Sequence, residues 1–522
     1  MDARPLLAGV ARGLRGPHAN PPGEAFTVWL YVRLLAVIFG IAFASLGVQV
    51  LGLIGHDGIL PAGEWLDAVR AQIGPTAWRY VPSLFWLGAG DRLLVGVCVA
   101  GIVLAALLLA GVAPPLVLAG LWFGYLSLVS VGQDFLSFQW DSLLLEAGLI
   151  AFLLVPWRWW SRPGSDPPPR PLALWLARWL IFRLMFSSAA AKLSSGDPTW
   201  RHLTALTYHY ETQCLPPWTA WYAHHLPVAF QRFSCAGMFA IEGLVPWLFF
   251  APARLRRLRF TGAFITIGFQ LLIALTGNYG FFNWLTIALC VPLLDDGVFR
   301  RAPATTPAPA EAAAPERRVP ARAPLWLVRP VAVVLLGLSL VPLSDVLGLP
   351  RMWLGPLPLV ERTLSPFRAV NRYGLFAVMT TQRTEIGLEG SADGVHWREY
   401  EFRWKPGAVD RLPAFVAPYH PRLDWQMWFA ALVPFGNDRW YLAFCRSLLL
   451  GSPSVQKLLG RDPFSGAAPR FVRAIAYDYH FSEPATRQRT GAWWTRTAIG
   501  PYGPVLALED GRLVAVPGAG AP

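Results

Sequence analysis

The run Phe138-Gln139-Trp140-Asp141-Ser142-Leu143-Leu144-Leu145-Glu146 sets two carboxylates inside an otherwise apolar stretch. A charged group at the centre of a membrane helix costs about 2.5–3.5 kcal/mol on insertion scales, so Asp141 and Glu146 require compensation. At roughly 100° per residue, Gln139, Ser142 and Glu146 share one helix face while Asp141 points elsewhere, which predicts two different partners. The next apolar run supplies Arg178, Arg183 and Lys192, and the one after it supplies Glu242. Pairing of carboxylate and cation between neighbouring helices is the simplest chemistry this cluster of Gln139, Asp141, Glu146, Arg183, Lys192 and Glu242 predicts. Its purpose is either to fix helix register or to line a functional polar cavity.

A second concentration of reactive groups lies in residues 195–226, with Trp200, His202, Tyr208, His209, Tyr210, Glu211, Gln213, Trp218, Trp221, His224 and His225. Neither His209-Tyr210-Glu211 nor His224-His225 is completed by a third ligand at a recognisable spacing, so no metal is expected. The segment reads instead as an interfacial loop whose rings lie at the membrane surface. Cys98, Cys235 and Cys290 fall in apolar runs, whereas Cys214 and Cys445 fall on one side of the membrane and could form one disulfide. The chain has no Cys-x-x-Cys, Walker A, Gly-x-Ser-x-Gly or His-Glu-x-x-His pattern, and no cofactor is implied by these templates.

The elements that position these groups follow from composition. Only 15% of residues are charged and 54% are hydrophobic, so most of the chain cannot face water. The net charge of +13 sits in short arginine clusters between apolar runs rather than along one solvated arm, which speaks for membrane topology and against nucleic acid. Runs long enough to cross about 30 Å of hydrocarbon are Val28–Ile54, Leu93–Val112, Pro114–Val131, Phe135–Pro156, Leu172–Leu193, Pro227–Phe250, Phe260–Thr276, Phe281–Leu294 and Trp326–Leu349. The first of these follows a polar, Pro-rich N-terminus and is expected to be retained as an anchor.

Threading about nine spans with the N-terminus inside groups Arg4, Arg12 and Arg15 with Arg158, Arg162, Arg170, Arg254, Arg256, Arg257, Arg259, Arg300, Arg301, Arg317, Arg318 and Arg322. The opposite loops, residues 55–92 and 195–226, hold only Arg70, Arg79, Arg92 and Arg201. The expected fold is thus a polytopic all-α membrane domain over residues 1–350, with a Pro/Ala-rich cytoplasmic linker at 302–324. A small α+β or β-sandwich-like exoplasmic domain, residues 351–522, follows it. Within that domain Thr384–Ser391 and Val395–Trp404 alternate about an Ala392-Asp393-Gly394 turn and predict a hairpin, residues 425–459 predict helix, and Phe471–Phe481 predicts a strand.

Several of these segments resemble the lipase maturation factor family: Phe138 to Glu146, Tyr208-His209-Tyr210-Glu211-Thr212-Gln213, Gly277-Asn278-Tyr279-Gly280-Phe281-Phe282-Asn283, Asp424-Trp425-Gln426-Met427-Trp428-Phe429, Val472-Arg473-Ala474 with Tyr477 and Tyr479, and Trp493-Trp494. The resemblance covers nearly the whole chain in order. It implies a multi-pass membrane protein, of the endoplasmic reticulum in animals, that helps exported lipases fold and assemble. The Ala, Gly, Arg and Pro bias looks like a GC-rich bacterial genome, which would place this member in an inner membrane with its C-terminal domain periplasmic. The expected partners are an exported lipase-like client and the lipid bilayer. Trp425, Gln426, Trp428, Trp493 and Trp494 are the candidate client contacts, beside Trp200, His209, Glu211 and Gln213 in the loop. Ala189-Ala190-Ala191-Lys192-Leu193 with Asp197 and Trp200 is more distantly similar to vitamin K-dependent carboxylase-like membrane domains. That likeness implies an alternative, an integral membrane enzyme acting on a quinone or lipid with Lys192 as base.

Overall fold

The computed structural model of the protein describes residues 23–163, 166–299 and 322–516. Most of the 302–324 linker, and the arginines at 4, 12, 15, 300, 301, 317 and 318, lie outside them. In chain order the helices that build the site are α1 (Ala25–Gly47), α2 (Asp91–Ala110), α3 (Pro114–Val131), α4 (Gln139–Leu154), α5 (Pro171–Ser194), α6 (Ala205–Thr212), α7 (Val228–Gly243), α8 (Arg256–Thr276), α9 (Phe282–Cys290) and α10 (Leu325–Val346).

Among the described residues seven helices are long and apolar enough to cross a membrane, against the expectation of about nine. They are α1, α2, α3, α5, α10 and the runs Val228–Phe250 and Ala253–Thr276, which contain α7 and α8. The two shorter segments are α4, with 16 residues, and Phe282–Leu293, which continues α9. At 1.5 Å per residue α4 is about 24 Å long, short of the hydrocarbon thickness. It packs against α1, α3, α5 and α9, so it meets protein rather than lipid over much of its surface and need not satisfy a lipid-spanning length. Burial also explains how α5 carries three cations: 67% of its apolar stretch is inside the protein, against 28% in each of the α7 and α8 runs, which face outward.

One end of the bundle is basic. There Asp296 accepts from Thr27 N (2.9 Å) and Thr27 Oγ1 (3.0 Å) in the first turn of α1, an anion placed at a helix N-terminus. Arg256 pairs with Asp295 at 3.1 Å, Arg178 reaches Glu24 at 3.4 Å, and Arg322 donates to the carbonyls of Leu154 and Pro167. The other end carries the loops 55–92 and 195–226 together with the C-terminal region. Ser452 Oγ donates to Asp57 O (2.6 Å), and Trp221 Nε1 donates to Ser482 O (2.8 Å).

After α10 the chain turns back on itself. Helix α11 (Leu357–Leu364) brings Leu357 against Gly337, halfway along α10, and residues 368–376 then wedge between α4 and α5. The start of the expected soluble domain is therefore packed among the membrane helices. Beyond it come β1 (Thr384–Ser391), β2 (Arg398–Glu399), α12 (Arg422–Ala430), α13 (Arg439–Leu449), β3 (Phe471–Phe481), β4 (Trp494–Pro501), β5 (Leu506–Glu509) and β6 (Arg512–Ala515). All pairings are antiparallel, in the order β2-β1-β3-β5-β6 with β4 sharing the β5 edge of β3.

The sheet corrects one expectation. The long partner of β1 is β3, from Thr384 opposite Asp478 to Ser391 opposite Phe471, whereas the expected second hairpin strand is reduced to Arg398–Glu399. The chain leaves the ladder there because Glu401 bridges to Arg461 instead. One apolar core runs without interruption from α1 through Phe135, Trp140 and Tyr279 to Trp425, Phe444 and Val472.

Candidate functional site

The membrane helices and the C-terminal region meet along a polar seam, and Glu146 is its first anchor. Arg183 forms an ion pair with Glu146 Oε1. Glu146 Oε2 accepts from the Tyr373 hydroxyl (2.7 Å) and from the backbone and side-chain nitrogens of Asn371 (3.1 Å each). On the same face of α4, Gln139 Oε1 accepts from Gly374 N (3.1 Å) and Ser142 O accepts from Asn371 Nδ2 (3.3 Å). Gly374 has φ +141, and a Cβ there would lie 2.6 Å from Ala191 Cβ, so only glycine fits this close approach to α5.

Asp141 faces the other way and finds a partner the sequence did not point to. Arg422 at the start of α12 holds it with two parallel bonds, Nη2 to Oδ1 at 2.7 Å and Nη1 to Oδ2 at 2.9 Å, and Tyr125 donates its hydroxyl to the same carboxylate. Arg422 Nη1 also donates to Phe135 O at 2.6 Å. The neighbouring-helix pairing expected for both carboxylates thus describes Glu146 and Arg183 alone. Both members of the Asp141 and Arg422 pair are sealed from solvent, and truncating one member of such a pair typically costs about 3–5 kcal/mol because the other is left buried and uncompensated.

Around these anchors the seam is stitched by amides and guanidiniums. Gln49 Nε2 donates to His420 O (2.9 Å) and Gln49 Oε1 accepts from Arg422 N (2.9 Å). Asn278 Oδ1 accepts from Val416 N (2.7 Å) and Ala417 N (3.0 Å), while its Nδ2 donates to Leu215 O and Ala414 O. Arg383 donates to the carbonyls of Glu211, Gln213 and Cys214 and pairs with Glu385 at 2.6 Å. The reactive-looking residues of the 195–226 loop are consumed by this architecture. Glu211 accepts from Phe481 N (3.0 Å) and sits 3.4 Å from His480 Nδ1 and 3.8 Å from His224 Nε2. No group of three metal-ligating side chains occurs among the described residues.

The aromatic candidates for client contact are interior. Trp425 packs edge-on against Phe138 and Trp140, Trp428 Nε1 donates to Thr212 O (2.8 Å), and Gln426 is buried beside them. Arg487 lies 3.6 Å from the Trp493 ring centre, and Trp494 stacks on Phe481 at 4.2 Å. These five residues are all buried in the fold. Cys214 and Cys445 are both free and buried, which corrects the expected disulfide. Cys445 turns toward Tyr441 under α13 and Cys214 lies by Arg383, and burial pushes both thiols up, Cys445 to about 12.

Lys192 and Glu242 belong to a different environment. Side chains on a helix lean toward its N-terminus, so in antiparallel α5 and α7 they lean toward each other, and Lys192 Nζ meets Glu242 Oε2 at 2.8 Å. This pair lies in the wall of a cavity of about 600 Å³ between α5, α6, α7, α8 and α9. Trp200 covers the ammonium, 5.5 Å from its ring centre, and Asp197 holds the adjoining turn by accepting from Met379 N at 2.6 Å.

His209 also lines the cavity, and its tautomer follows from its neighbours. Gln213 Nε2 donates to Thr276 O (2.7 Å) and Tyr210 O (3.2 Å), so Gln213 Oε1 is the acceptor for the Tyr279 hydroxyl at 3.0 Å. With the Tyr279 proton committed, His209 Nε2, 3.0 Å from the same oxygen, must donate to it. Burial, then the nearby Lys192 charge, lowers the His209 pKa to about 4, so the ring is neutral and its Nδ1 is a bare acceptor. Nδ1 is buried and has no partner. Gly277 makes this corner possible, since a Cβ there would lie 2.4 Å from Gln213 Oε1 and from the Tyr279 ring.

Sequence reasoning missed Arg422, Arg383, Asn371, Tyr373 and His420. The only signal was weak: residues 366–376 mix arginine, asparagine and aromatics with neither helical nor strand periodicity, as befits a segment held by side-chain bonds rather than by its own backbone ladder.

Comparison with known proteins accords with this continuous architecture. Residues 26–301 match the lipase maturation factor transmembrane domain, and residues 369–504 match the lipase maturation factor C-terminal domain. Lipase maturation factor 2 of Homo sapiens is 38% identical over 598 residues, covering 93% of this chain and 83% of its own length. Lipase maturation factor 1 of Bos taurus is 35% identical over 533 residues, covering 97% and 93% respectively. No solved structure matches the chain. The second match begins at residue 369, at the wedge that binds Glu146, so the seam joins the two matched regions. The chain is a multi-pass membrane protein of the lipase maturation factor family.

Proposed function

We propose that this protein is a membrane-anchored maturation factor that helps an exported lipase-like hydrolase reach its folded, assembled state. The observation that carries the reading is likeness over most of the chain to proteins named lipase maturation factors, with the seam keeping the C-terminal region and the 195–226 loop together on one face. In this reading α4 and Phe282–Leu293 also cross, giving about nine passes. The arginine-bearing end is cytoplasmic and the face carrying the C-terminal region is exoplasmic, periplasmic if the membrane is a bacterial inner membrane. Residues 1–350 then form the membrane unit and 351–522 the exoplasmic unit, with 357–376 packed back into the first.

The test is co-expression with an exported lipase-fold hydrolase in a host that lacks this chain, reading activity per molecule of exported hydrolase. The expected result is a several-fold rise that disappears with Arg422→Ala. Equal activity per molecule with and without the chain contradicts the reading. The carboxylase-like alternative asks Lys192 to present a free amine, and Lys192 is instead engaged by Glu242 at 2.8 Å and by Ser188 O at 3.4 Å.

A further inference from the structure

The outer edge formed by β4 and β5 is covered at both ends and open between them. At one end Trp493 N and Trp494 N donate to Val409 O (2.8 and 3.1 Å), and at the other Val516 N donates to Val505 O (2.9 Å), where β6 screens β5. Between these points every residue from 495 to 499 is exposed, Ile499 to 62%. At about 3.4 Å per residue the open stretch is about 17 Å long, the length of an ordinary strand.

The direction of its backbone groups follows from the neighbouring strand. Strand β3 lies between β1 and β4, and Tyr479 N donates to Arg383 O (2.9 Å), on the side away from β4. In an antiparallel ladder the N–H and C=O of one residue point to the same side, and the side alternates along the strand. Asp478 and His480 therefore bond to β4, through Thr497 and Thr495 opposite them. Arg496 and Ala498, opposite Tyr479 and Tyr477, turn their N–H and C=O groups off the open edge. Among the described residues no hydrogen bond satisfies these four groups.

Exposed sheet edges are normally blunted by a lysine, a proline, a bulge or a covering loop. Here the bulge follows Ala498 and the proline is Pro501, both at the far end of the strand. Arg496 is the one charge between 495 and 499, and it is folded onto the sheet face, 4.8 Å from the Tyr477 ring centre and 3.7 Å from Glu399. It leaves the backbone bare. Unpaired N–H and C=O groups at strand spacing, flanked by the β-branched Thr495, Thr497 and Ile499, suit one kind of partner, another extended peptide.

We propose that β4 is a docking edge for an extended, β-prone segment of the incompletely folded client, which adds to the sheet as a strand beyond β4. The proposal rests on the maturation reading, which supplies a chain whose own strands are not yet paired. A second copy of this chain fits less well. Two β4 edges related by a two-fold axis pair antiparallel, and any register that engages Arg496 and Ala498 of both copies sets the two arginines on one sheet face. They are then directly opposite or on the diagonal at about 7–8 Å, a like-charge pair that destabilises the ladder. A client segment can instead place an acidic or aromatic residue beside Arg496. Four backbone hydrogen bonds give a weak and reversible grip, and the segment leaves when the client's own sheet takes it up.

The experiment measures binding of short overlapping peptides that span the exported hydrolase of the co-expression test, each carrying a benzophenone, to the full chain in phosphatidylcholine nanodiscs. Peptides drawn from the hydrolase's strands should bind and crosslink to residues 494–500. N-methylation of alternate residues along one edge of such a peptide should weaken binding about tenfold, and N-methylation of the intervening residues should not. General stickiness would not produce that asymmetry. Ala498→Pro removes a donor that points off the edge and spares the bonds to β3, so it should weaken binding about tenfold, whereas Thr497→Val, which keeps the backbone, should not.

Absence of binding by any strand peptide, equal losses from both methylation sets, or crosslinks confined to other parts of the chain overturns the proposal. So does a dimer that Ala498→Pro dissolves, which would assign the edge to a second copy. The methylation series uses the wild-type chain and stays decisive if Ala498→Pro fails to fold. If co-expression raises hydrolase activity as much with Ala498→Pro as with the wild type, the docking edge falls and the maturation reading stands. If strand peptides dock on β4 while co-expression gives no rise, the maturation reading falls and the peptide-binding edge stands.

Discussion

Two buried ion pairs, one tying a membrane helix to the C-terminal region and one joining two membrane helices, serve different ends. Asp141 with Arg422 sits in a packed seam where both carboxylate oxygens are engaged and the guanidinium has further acceptors. Lys192 with Glu242 sits beside open space, near an acceptor that has no partner. The difference teaches how to read an ionisable residue in a membrane helix. Where packed neighbours close around it on every side it holds structure, and where it lines open space it borders a cavity.

The comparison breaks first at Arg422→Ala. Leaving Asp141 uncompensated should cost about 3–5 kcal/mol, read as a large drop in the thermal midpoint of the detergent-solubilised protein and as new protease cleavage between residues 376 and 422. An unchanged midpoint would mean the seam does not hold the two regions together. Glu146→Gln keeps the shape and part of the bonding of the second anchor, so a smaller loss of about 1.5–3 kcal/mol is expected from the weakened charged hydrogen bonds. If it exceeded Arg422→Ala, the ranking of the anchors would be reversed.

Acidification should act next. His420 is buried against Phe138, Trp140 and Trp425 with neither ring nitrogen bonded, and burial, then the Arg422 charge, holds its pKa well below the ordinary histidine value. His209 is lowered to about 4. Groups with depressed folded pKa values bind protons in the unfolded chain first, so their stabilisation is complete above pH about 6.5 and is lost as pH falls toward the folded values, at about 1.4 kcal/mol per pH unit for each. His480 titrates in the opposite sense, since Glu211 and Asp478 raise it despite partial burial, but it is half-exposed and its effect is screened. His420→Phe should flatten the acid limb of the stability profile, and an unchanged limb would assign acid sensitivity elsewhere. The smallest effect is expected for Lys192→Met with Glu242→Met. Replacing both members of a pair beside a cavity should move the midpoint by less than about 1 kcal/mol, given that buried pairs are often replaced by apolar residues at no cost. A loss as large as that of Arg422→Ala would merge the two pairs into one class.

Much of this architecture is legible in the amino-acid sequence itself. The apolar runs mark the membrane helices because lipid imposes a length that composition reveals, and β3 matches its predicted bounds even though its inward face shifts by one residue after Ala476. The Glu146 face is readable too, since Gln139, Ser142 and Glu146 are bound by helical period and all three contact residues 371–374. What stays hidden depends on long-range contacts. Nothing near Asp141 indicates a partner 281 positions away, and nothing in residues 357–376 states that a segment after the last apolar run returns to the bundle. Local periodicity also misreads the hairpin, because β1 has a longer and better partner in β3 than its own neighbour. Trp425, Trp428, Trp493 and Trp494 look like contact residues by type, and only packing reveals that each is already occupied.

The central claim is that the C-terminal region is locked to the membrane helices through the Asp141 and Arg422 pair. A double-mutant cycle of Asp141→Ala, Arg422→Ala and both together, read as unfolding free energy in detergent, tests it most directly. The account predicts that the double variant is no less stable than either single one, so that the coupling equals at least the cost of one single variant, about 3–5 kcal/mol. Additive losses, within about 0.5 kcal/mol, would contradict it.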